Sequence, residues 1–342
     1  MRVGILTSGG DCPGLNAAIR AVTRRLIAKN DFEVIGILNG FKGLIEGNIE
    51  PLSLYSVSGI LPKGGTILGT SRVNPFNEKG NVERMQKTMQ RYELDALVVI
   101  GDGDALNVAH QLETSGIHSV CIPTTIDNDV AETDRTFGFD TAVTIATEAI
   151  DRLHSTADSH HRIMVVEVMG RQSGWIATMA GLAGGADYIL IPEVEAPLDK
   201  ISELLTRRHK RKKFSIVVVA EGARPEGMPE SGPKGKKTDE FGHWIPRGVG
   251  EYIGQELEKR TEMETRVTIL GHIQRGGTPT AYDRVLASRF GVKAADMVAS
   301  GKFSTMTALK GSKIVEVPLE NVVGKIKPVD PELYEIASVF FG

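Results

Sequence analysis

The run Ala96-Leu97-Val98-Val99-Ile100 is apolar at every position. A strand with one face in water alternates apolar and polar side chains, so an unbroken apolar run predicts a parallel strand covered on both faces. Helical periodicity precedes the run at about residues 82–92 and resumes after it from about Ala105. The chain is therefore predicted to fold as an α/β protein around a mainly parallel sheet.

Short apolar strands and helical segments keep alternating through both halves of the chain. Further strands are predicted at residues 3–6, 32–38, 120–122, 163–168, 188–191, 214–220 and 267–270. Further helices are predicted from about Asn16 and at about residues 142–155, 173–183, 198–209, 248–260, 284–300 and 331–340. The 342 residues are enough for two domains of ordinary size or for one large one. Residues 224–244, rich in Gly, Pro and charge, are predicted to form an exposed insertion or flexible loop.

Charge and composition exclude several classes of protein. With 40 basic and 43 acidic residues the net charge is −3, so we expect neither nucleic acid nor membrane as a partner. The basic run 207–213 is the local exception, and we expect a solvated helix end rather than a contact with nucleic acid or an anionic effector. No apolar run approaches the roughly 20 residues of a membrane span. The two cysteines, Cys12 and Cys121, suggest no disulfide framework, and we expect a cytoplasmic protein.

Glycine-rich and acidic turns follow three of the predicted strands. The first is Gly9-Gly10-Asp11-Cys12-Pro13-Gly14, which leads into a helix. Such a loop can hold an anion through its free N–H groups, although it could equally be a tight turn without a ligand. The second is Gly101-Asp102-Gly103-Asp104. Ligands of open α/β sheets bind outside the carboxyl ends of strands, which favours a shared site.

The third turn, Pro123-Thr124-Thr125-Ile126-Asp127-Asn128-Asp129, carries two carboxylates two residues apart. Such a set suits general-base and metal chemistry, but Thr, Asn and Asp also favour plain turns. A separate loop, residues 63–72, ends in Arg72 and offers hydroxyls and glycines that suit polyphosphate oxygens. His272 and Arg275 follow a later strand and are candidates for holding a phosphorylated substrate.

Phosphoryl transfer needs positioned cations, a metal-holding carboxylate and a base for the accepting hydroxyl, and the chain offers all three. A serine hydrolase of the α/β type would need a GxSxG elbow, which the sequence lacks. The segments LTSGGDCPGLNAAIR, KGGTILGTSR, TIDND, FGFDTA, VMGR and LGHIQRGGTP resemble those of the phosphofructokinase family, in order, from about residue 2 to 300.

This resemblance implies two Rossmann-like three-layer α/β domains with mainly parallel sheets. Residues 1–138 with about 274–324 would form the phosphoryl-donor domain, and 139–273 with about 325–342 the sugar-phosphate domain. The implied reaction is phosphorylation of the 1-hydroxyl of fructose 6-phosphate, a step of glycolysis, with Mg²⁺ as cofactor. The family is often tetrameric, so we expect a homodimer or homotetramer with shared active sites.

The resemblance also assigns roles to single residues. Asp127 would be the base, assisted by Thr125 and Asp129, while Arg171 and Arg72 would stabilise the transferring phosphoryl group. The residues expected at the sugar phosphate are Thr125, Asp127, Arg162, Met169, Gly170, Arg171, Glu221, Arg266, His272 and Arg275, of which Arg162 and Arg266 would reach over from a neighbouring subunit. The donor would contact Gly10, Arg72, Asp102, Gly103, Asp104 and Thr124, and the metal Asp102 and Asp129.

Two positions distinguish pyrophosphate-using from ATP-using members, and here they disagree. A carboxylate at Asp104 would repel the α-phosphate of ATP, which favours pyrophosphate slightly. Thr124 is neither the lysine of pyrophosphate users nor the glycine frequent in ATP users. The family acid lies at the position of Gly103, unless the alignment shifts by one residue and Asp102 becomes the metal carboxylate. A weakly active or regulatory sugar-phosphate-binding paralogue is the alternative to an active enzyme.

Overall fold

The computed structural model describes residues 1–195, 197–229, 238, 241 and 248–342. The chain forms two compact units, each built from two segments. The first unit contains Met1–Thr141 and Arg275–Lys325, and the second contains Ala142–Gln274 and Ile326–Gly342. Most of the insertion predicted at residues 224–244 lies outside the described residues.

A seven-stranded sheet forms the core of the first unit. Its strands in chain order are β1 (Arg2–Ser8), β2 (Glu33–Ile37), β3 (Ile49–Leu52), β4 (Ala96–Gly101), β5 (Ser119–Pro123), β10 (Thr305–Lys310) and β11 (Lys313–Pro318). Their order across the sheet is β11-β10-β5-β4-β1-β2-β3. The strands from β10 to β2 are parallel, and β3 and β11 close the two edges in antiparallel pairs.

The apolar run that led the sequence prediction is in the middle of this sheet. Every residue of β4 is buried, as the sequence predicted for a strand covered on both faces. The helices of this unit are α1 (Leu15–Asn30), α2 (Gly40–Glu46), α3 (Asn81–Arg91), α4 (Gly103–Glu113) and α9 (Ala281–Ala299). α1 packs closely on α9, because Gly291 lacks the Cβ that would lie 2.7 Å from that of Ala21.

Neighbouring β1 and β4 mark the point where the strand order reverses. From β1 the chain continues to β2 on one side, and from β4 to β5 on the other. The register pairs Ser8 with Gly101, so the glycine turns that follow the two strands leave the sheet side by side. Such a reversal point is where open α/β sheets bind their ligands.

A four-stranded sheet organises the second unit. Its strands are β6 (Ile163–Val168), β7 (Tyr188–Leu190), β8 (Ser215–Ala220) and β9 (Thr265–Ile269), all parallel in the order β7-β8-β6-β9. The helices are α5 (Phe139–His160), which begins in the first unit, α6 (Trp175–Ala183), α7 (Leu198–His209), α8 (Val249–Thr261) and α10 (Pro331–Ser338). Short 3₁₀ turns cover Pro75–Asn77, Gly271–Arg275 and Leu319–Asn321.

The structure adds elements that the sequence did not predict and moves some boundaries. The additions are α2, β3 and the β10–β11 hairpin, while α5 begins at Phe139 instead of near Ala142. Within the basic run, most side chains are exposed as expected, but Arg208 is not. Its guanidinium forms an ion pair of 2.6 Å with the buried Asp187, so one member of the run has a structural role.

Candidate active site

The glycine turn after β1 is hydrogen-bonded to the loop that ends in Arg72. The Gly9 N–H donates to the Ser71 carbonyl at 3.0 Å, and the Thr70 hydroxyl donates to the Gly9 carbonyl at 2.9 Å. The Thr7 hydroxyl donates to the Gly69 carbonyl at 2.6 Å. Because Arg72 directly follows Ser71, these bonds place a guanidinium group next to the Gly9–Gly10 turn, an arrangement that suits phosphate binding.

Asn16, in the first turn of α1, holds the other end of that loop. Its amide nitrogen donates to the carbonyls of Lys63 and Gly64 at 3.1 and 3.2 Å, and its amide oxygen accepts the Ile67 N–H at 2.8 Å. The sequence prediction did not include Asn16 in the site. The signal available was a single Asn at a helix start after a glycine loop, which is too common to be specific.

Asp102 connects the two glycine turns. One carboxylate oxygen accepts the Ala105 N–H at 3.2 Å and caps α4, and the other accepts the Gly10 N–H at 3.3 Å. Desolvation, with the nearby charge of Asp104, raises the pKa of Asp102, and the two N–H bonds oppose that shift. Asp104 lies in the first turn of α4, next to this arrangement.

The turn from Pro123 to Asp129 is held in one conformation by hydrogen bonds. The Asp127 N–H donates to the Thr125 hydroxyl at 3.0 Å, and the Thr136 hydroxyl donates to the Thr125 carbonyl at 2.7 Å. Asn128 is buried at φ 52°, and its amide oxygen accepts the Thr136 N–H at 3.0 Å. Asn tolerates this left-handed conformation well. The turn thereby fixes the half-buried Asp127 and Asp129 on either side of Asn128.

Thr124 faces the protein interior. Its side chain is buried, with the hydroxyl oxygen 2.7 Å from the Cys12 sulfur and 3.5 Å from the Phe137 carbonyl. Burial raises the pKa of the Cys12 thiol to about 12, so this contact involves a neutral thiol. At this position, which differs between pyrophosphate-using and ATP-using members, the chain therefore carries a small side chain that is buried and contacts Cys12 and Phe137.

Arg275 lies against the first glycine turn. Its Nε donates to the Asp11 carbonyl at 3.1 Å, and one terminal nitrogen is 3.7 Å from the Asp11 carboxylate. A Cβ on Gly10 would lie 1.7 Å from that guanidinium, so a larger residue at position 10 would push the Arg275 head group away from the turn. The structure thus places Arg275, a predicted sugar-phosphate residue, beside the predicted donor loop.

The other predicted sugar-site residues follow neighbouring strands of the second unit. Met169, Gly170 and Arg171 come after β6, Glu221 after β8, and the exposed His272 after β9. The Glu221 N–H donates to the Val168 carbonyl at 2.9 Å. The Arg171 Nε lies 3.9 Å from the Glu221 carboxylate. Because the strands are parallel, these five residues all lie at the carboxyl ends of the strands.

Glycines allow these turns to pack closely. Gly170 has φ +135°, and a Cβ there would lie 2.5 Å from the Ser173 carbonyl. A Cβ on Gly222 would lie 2.0 Å from the Arg171 carbonyl oxygen. Gln274, which is fully buried, accepts the Met169 N–H at 3.3 Å and donates to the Gly271 carbonyl at 3.0 Å. It fixes the turn after β9 to the turn after β6 and was not predicted from the sequence.

Arg162 and Arg266 lie away from those turns, at the amino ends of β6 and β9. Arg162 donates through Nε to the Glu264 carboxylate at 2.6 Å, and Arg266 pairs with the same carboxylate. The hydrogen bond from Arg162 is the main cause of the lowered pKa of Glu264. β9 is an edge strand of its sheet. The two arginines are thus held together at that edge.

The predicted site residues fall into two groups. In the first unit the structure brings together Gly10, Arg72, Asp102, Gly103, Asp104 and Arg275, and the turn after β5 supplies Thr124, Thr125, Asp127 and Asp129. In the second unit lie Met169, Gly170, Arg171, Glu221 and His272, with Arg162 and Arg266 apart from them. Among the described residues, no three His, Cys, Asp or Glu side chains converge as a metal centre. None of the described helices is long and apolar enough to span a bilayer.

Comparison with known proteins agrees with this arrangement. The profile of the family "Phosphofructokinase" matches residues 2–298. The pyrophosphate–fructose 6-phosphate 1-phosphotransferase of Amycolatopsis methanolica is 55% identical, with all of both chains covered. The ATP-dependent 6-phosphofructokinase of Mycobacterium tuberculosis (strain H37Rv) is 49% identical over the whole of both chains. The solved phosphofructokinase of Pichia pastoris superposes with a TM-score of 0.83 at 33% identity, covering 99% of this chain and 36% of that longer one. The chain therefore belongs to the phosphofructokinase family.

Proposed function

We propose that the protein is a 6-phosphofructokinase, which transfers a phosphoryl group from pyrophosphate or ATP to the 1-hydroxyl of fructose 6-phosphate. The observation that carries this proposal is the hydrogen-bonded turn after β5, which holds Asp127 and Asp129. β5 pairs with β4, and the glycine turns after β4 and β1 form, with Arg72, a site suited to phosphate. The relatives named for this reaction with either donor support the substrate.

In the proposed reaction the 1-hydroxyl oxygen attacks the terminal phosphorus while the bond to the leaving phosphate or ADP breaks. The hydroxyl proton goes to the Asp127 carboxylate. Hydrogen bonds brace the loop that positions Asp127, which suits a base whose contribution comes from its placement. Arg72 and Arg171 stabilise charge on the moving phosphoryl group.

Magnesium would be held by Asp129 and by the donor phosphates, because Mg²⁺ usually binds through one or two carboxylates and substrate oxygens. Bound there, the ion neutralises phosphate charge. The sequence names Asp102 for the same role, but both of its oxygens already accept backbone N–H groups.

We assign the donor to the first unit and the sugar phosphate mainly to the second. The glycine turns at the strand-order reversal of the first sheet support the donor assignment. The turns after β6, β8 and β9 support the sugar assignment. Pyrophosphate is slightly favoured, because Asp104 places a carboxylate in the first turn of α4 and the 55% identical relative is named for pyrophosphate.

We further propose a homodimer or homotetramer in which Arg162 and Arg266 complete the sugar site of a neighbouring subunit. Both arginines lie at the β9 edge of the second sheet, apart from the strand-end turns of their own unit. Two large apolar side chains near that edge, Ile269 and Ile273, are 47% and 60% exposed. An edge with exposed apolar and charged groups suits pairing with a second copy.

A coupled assay tests the proposal with purified protein, fructose 6-phosphate, Mg²⁺ and either pyrophosphate or ATP. Turnover with at least one donor is expected. No turnover with either donor, together with calorimetric binding of fructose 6-phosphate, would instead support the regulatory paralogue. The altered 102–104 turn is the observation that favours this second candidate.

A further inference from the structure

Asp102 occupies the groups that a donor phosphate would use. A phosphate at a glycine turn and helix start is bound by backbone N–H groups that point to one place. Here two such groups, those of Gly10 and Ala105, donate to the two oxygens of the Asp102 carboxylate. A side-chain anion therefore already satisfies part of the phosphate site.

The carboxylate is seated tightly. A Cβ added to Gly9 would lie 2.3 Å from one Asp102 oxygen and 2.7 Å from the other. Gly9 has φ +92°, and its N–H is hydrogen-bonded to the Ser71 carbonyl. The Gly9–Gly10 turn therefore packs directly against the Asp102 carboxylate. Arg72, at the end of the loop that contains Ser71, lies near enough for its charge to act on Asp102.

We propose that Asp102 is an internal anion that fills part of the donor phosphate site and weakens the binding of long, highly charged donors. This inference rests on the proposed function and refines it. ATP carries three phosphates and needs more of the N–H groups and positive charge in the site than pyrophosphate does. The Asp102 carboxylate competes for both, so it selects the shorter donor. Asp102 is then a specificity residue and not a metal ligand.

The test compares Asp102→Ser and Asp102→Asn with the unchanged protein. Ser is a good N-cap residue and can keep the bond from Ala105, but it is too short to reach Gly10 as well. Asn keeps the size and one acceptor oxygen but removes the charge. Asp158→Ser, at an exposed position on α5, is the matched control. Thermal unfolding of each variant verifies that it is folded.

Binding of MgATP and of magnesium pyrophosphate is measured by isothermal titration calorimetry without sugar phosphate. Both Asp102 variants are expected to bind MgATP about tenfold more tightly, because one like charge is removed from a partly shielded site. A smaller gain is expected for pyrophosphate, and no change for the Asp158 control. MgATP binding that is unchanged or weaker in both variants would overturn the proposal, and weaker binding of both donors would identify Asp102 as a metal ligand.

Failure of the proposed function is a separate result. It would appear as absence of turnover by the unchanged protein with either donor, whereas the calorimetric comparison needs no turnover. If Asp102→Ser does not fold, the Asn variant alone decides, because it keeps the helix cap and the volume of the side chain.

Discussion

The backbone N–H and the hydroxyl of Thr141 both donate to one carboxylate oxygen of Asp283, at 2.8 and 2.6 Å. Thr141 lies in the first turn of α5, and Asp283 lies in the first turn of α9, where its own N–H donates to the Thr280 hydroxyl at 3.3 Å. The carboxylate thus accepts two hydrogen bonds from the first turn of α5 while it lies in the first turn of α9. Negative charge is favoured at the N-terminus of a helix. Asp283 is fully buried all the same.

Burial raises the pKa of Asp283 to about 6 against the hydrogen bonds from Thr141. Because the folded state binds this proton more tightly than the unfolded state, the group stabilises the fold fully below about pH 4. That stabilisation is lost as the pH rises through about 6. In Asp283→Asn the titration is absent, so the stability of the unchanged protein relative to this variant should fall by roughly 1–3 kcal/mol between pH 4.5 and 7.5.

Urea unfolding at four pH values across that interval measures the difference. Asp158→Asn on the exposed face of α5 is the control, with a difference that should stay constant with pH. A constant difference for Asp283→Asn as well would show that Asp283 does not titrate in this range.

Asn16 is predicted to support both stability and turnover. Asn16→Asp keeps the acceptor for Ile67 but loses the two bonds to the carbonyls of Lys63 and Gly64. The loss of two partly buried bonds should cost about 1–3 kcal/mol in urea unfolding. Because the same loop carries Arg72, kcat should fall while the KM for fructose 6-phosphate changes little. A variant that loses stability but keeps its kcat would show that the 63–72 loop does not depend on Asn16 for its catalytic conformation.

Most of the described strands were predictable, because the apolar run of a buried parallel strand is visible in a short stretch of sequence. β6 and α7 have the bounds that the sequence predicted. The β10–β11 hairpin was missed, although the two-residue turn Gly311-Ser312 between two strand-like segments is a known hairpin signal. Its first strand also joins β5 of a distant segment, and that pairing is visible only in the fold.

Candidate site residues could be named from motifs, but the orientations of their side chains could not. That Asp102 accepts the Gly10 N–H depends on the pairing of β1 with β4, which joins residues more than ninety positions apart. That Thr124 faces Cys12 depends likewise on the packing of two separate loops. Motif spacing fixes neither, because both are long-range contacts whose geometry is set by the sheet.

Asp104→Gly tests the residue that favours pyrophosphate. Removing this carboxylate from the first turn of α4 takes away a repulsion toward the α-phosphate of ATP, so kcat/KM for ATP relative to pyrophosphate should rise about tenfold. Steady-state kinetics with each donor at saturating fructose 6-phosphate measure the ratio. An unchanged donor ratio would count against the unshifted alignment, in which Asp104 holds the position that distinguishes the two donors.

Asp127→Ser is predicted to lose most of its turnover and to keep its sugar binding. A base that takes the 1-hydroxyl proton contributes typically 10²–10⁴-fold, so kcat should fall by about that factor. Ser keeps a polar side chain on a turn whose conformation depends mainly on Thr125, Asn128 and Thr136, so the fold should be retained.

A coupled assay measures kcat, and calorimetry with fructose 6-phosphate alone measures sugar binding. The binding constant should change less than threefold, because proton transfer is not part of binding. Asp158→Ser, an exposed change of the same kind, should match the unchanged protein in both measurements. If Asp127→Ser turned over at the unchanged rate, Asp127 would not be the base, and Asp129 on the same turn would be the next residue to replace.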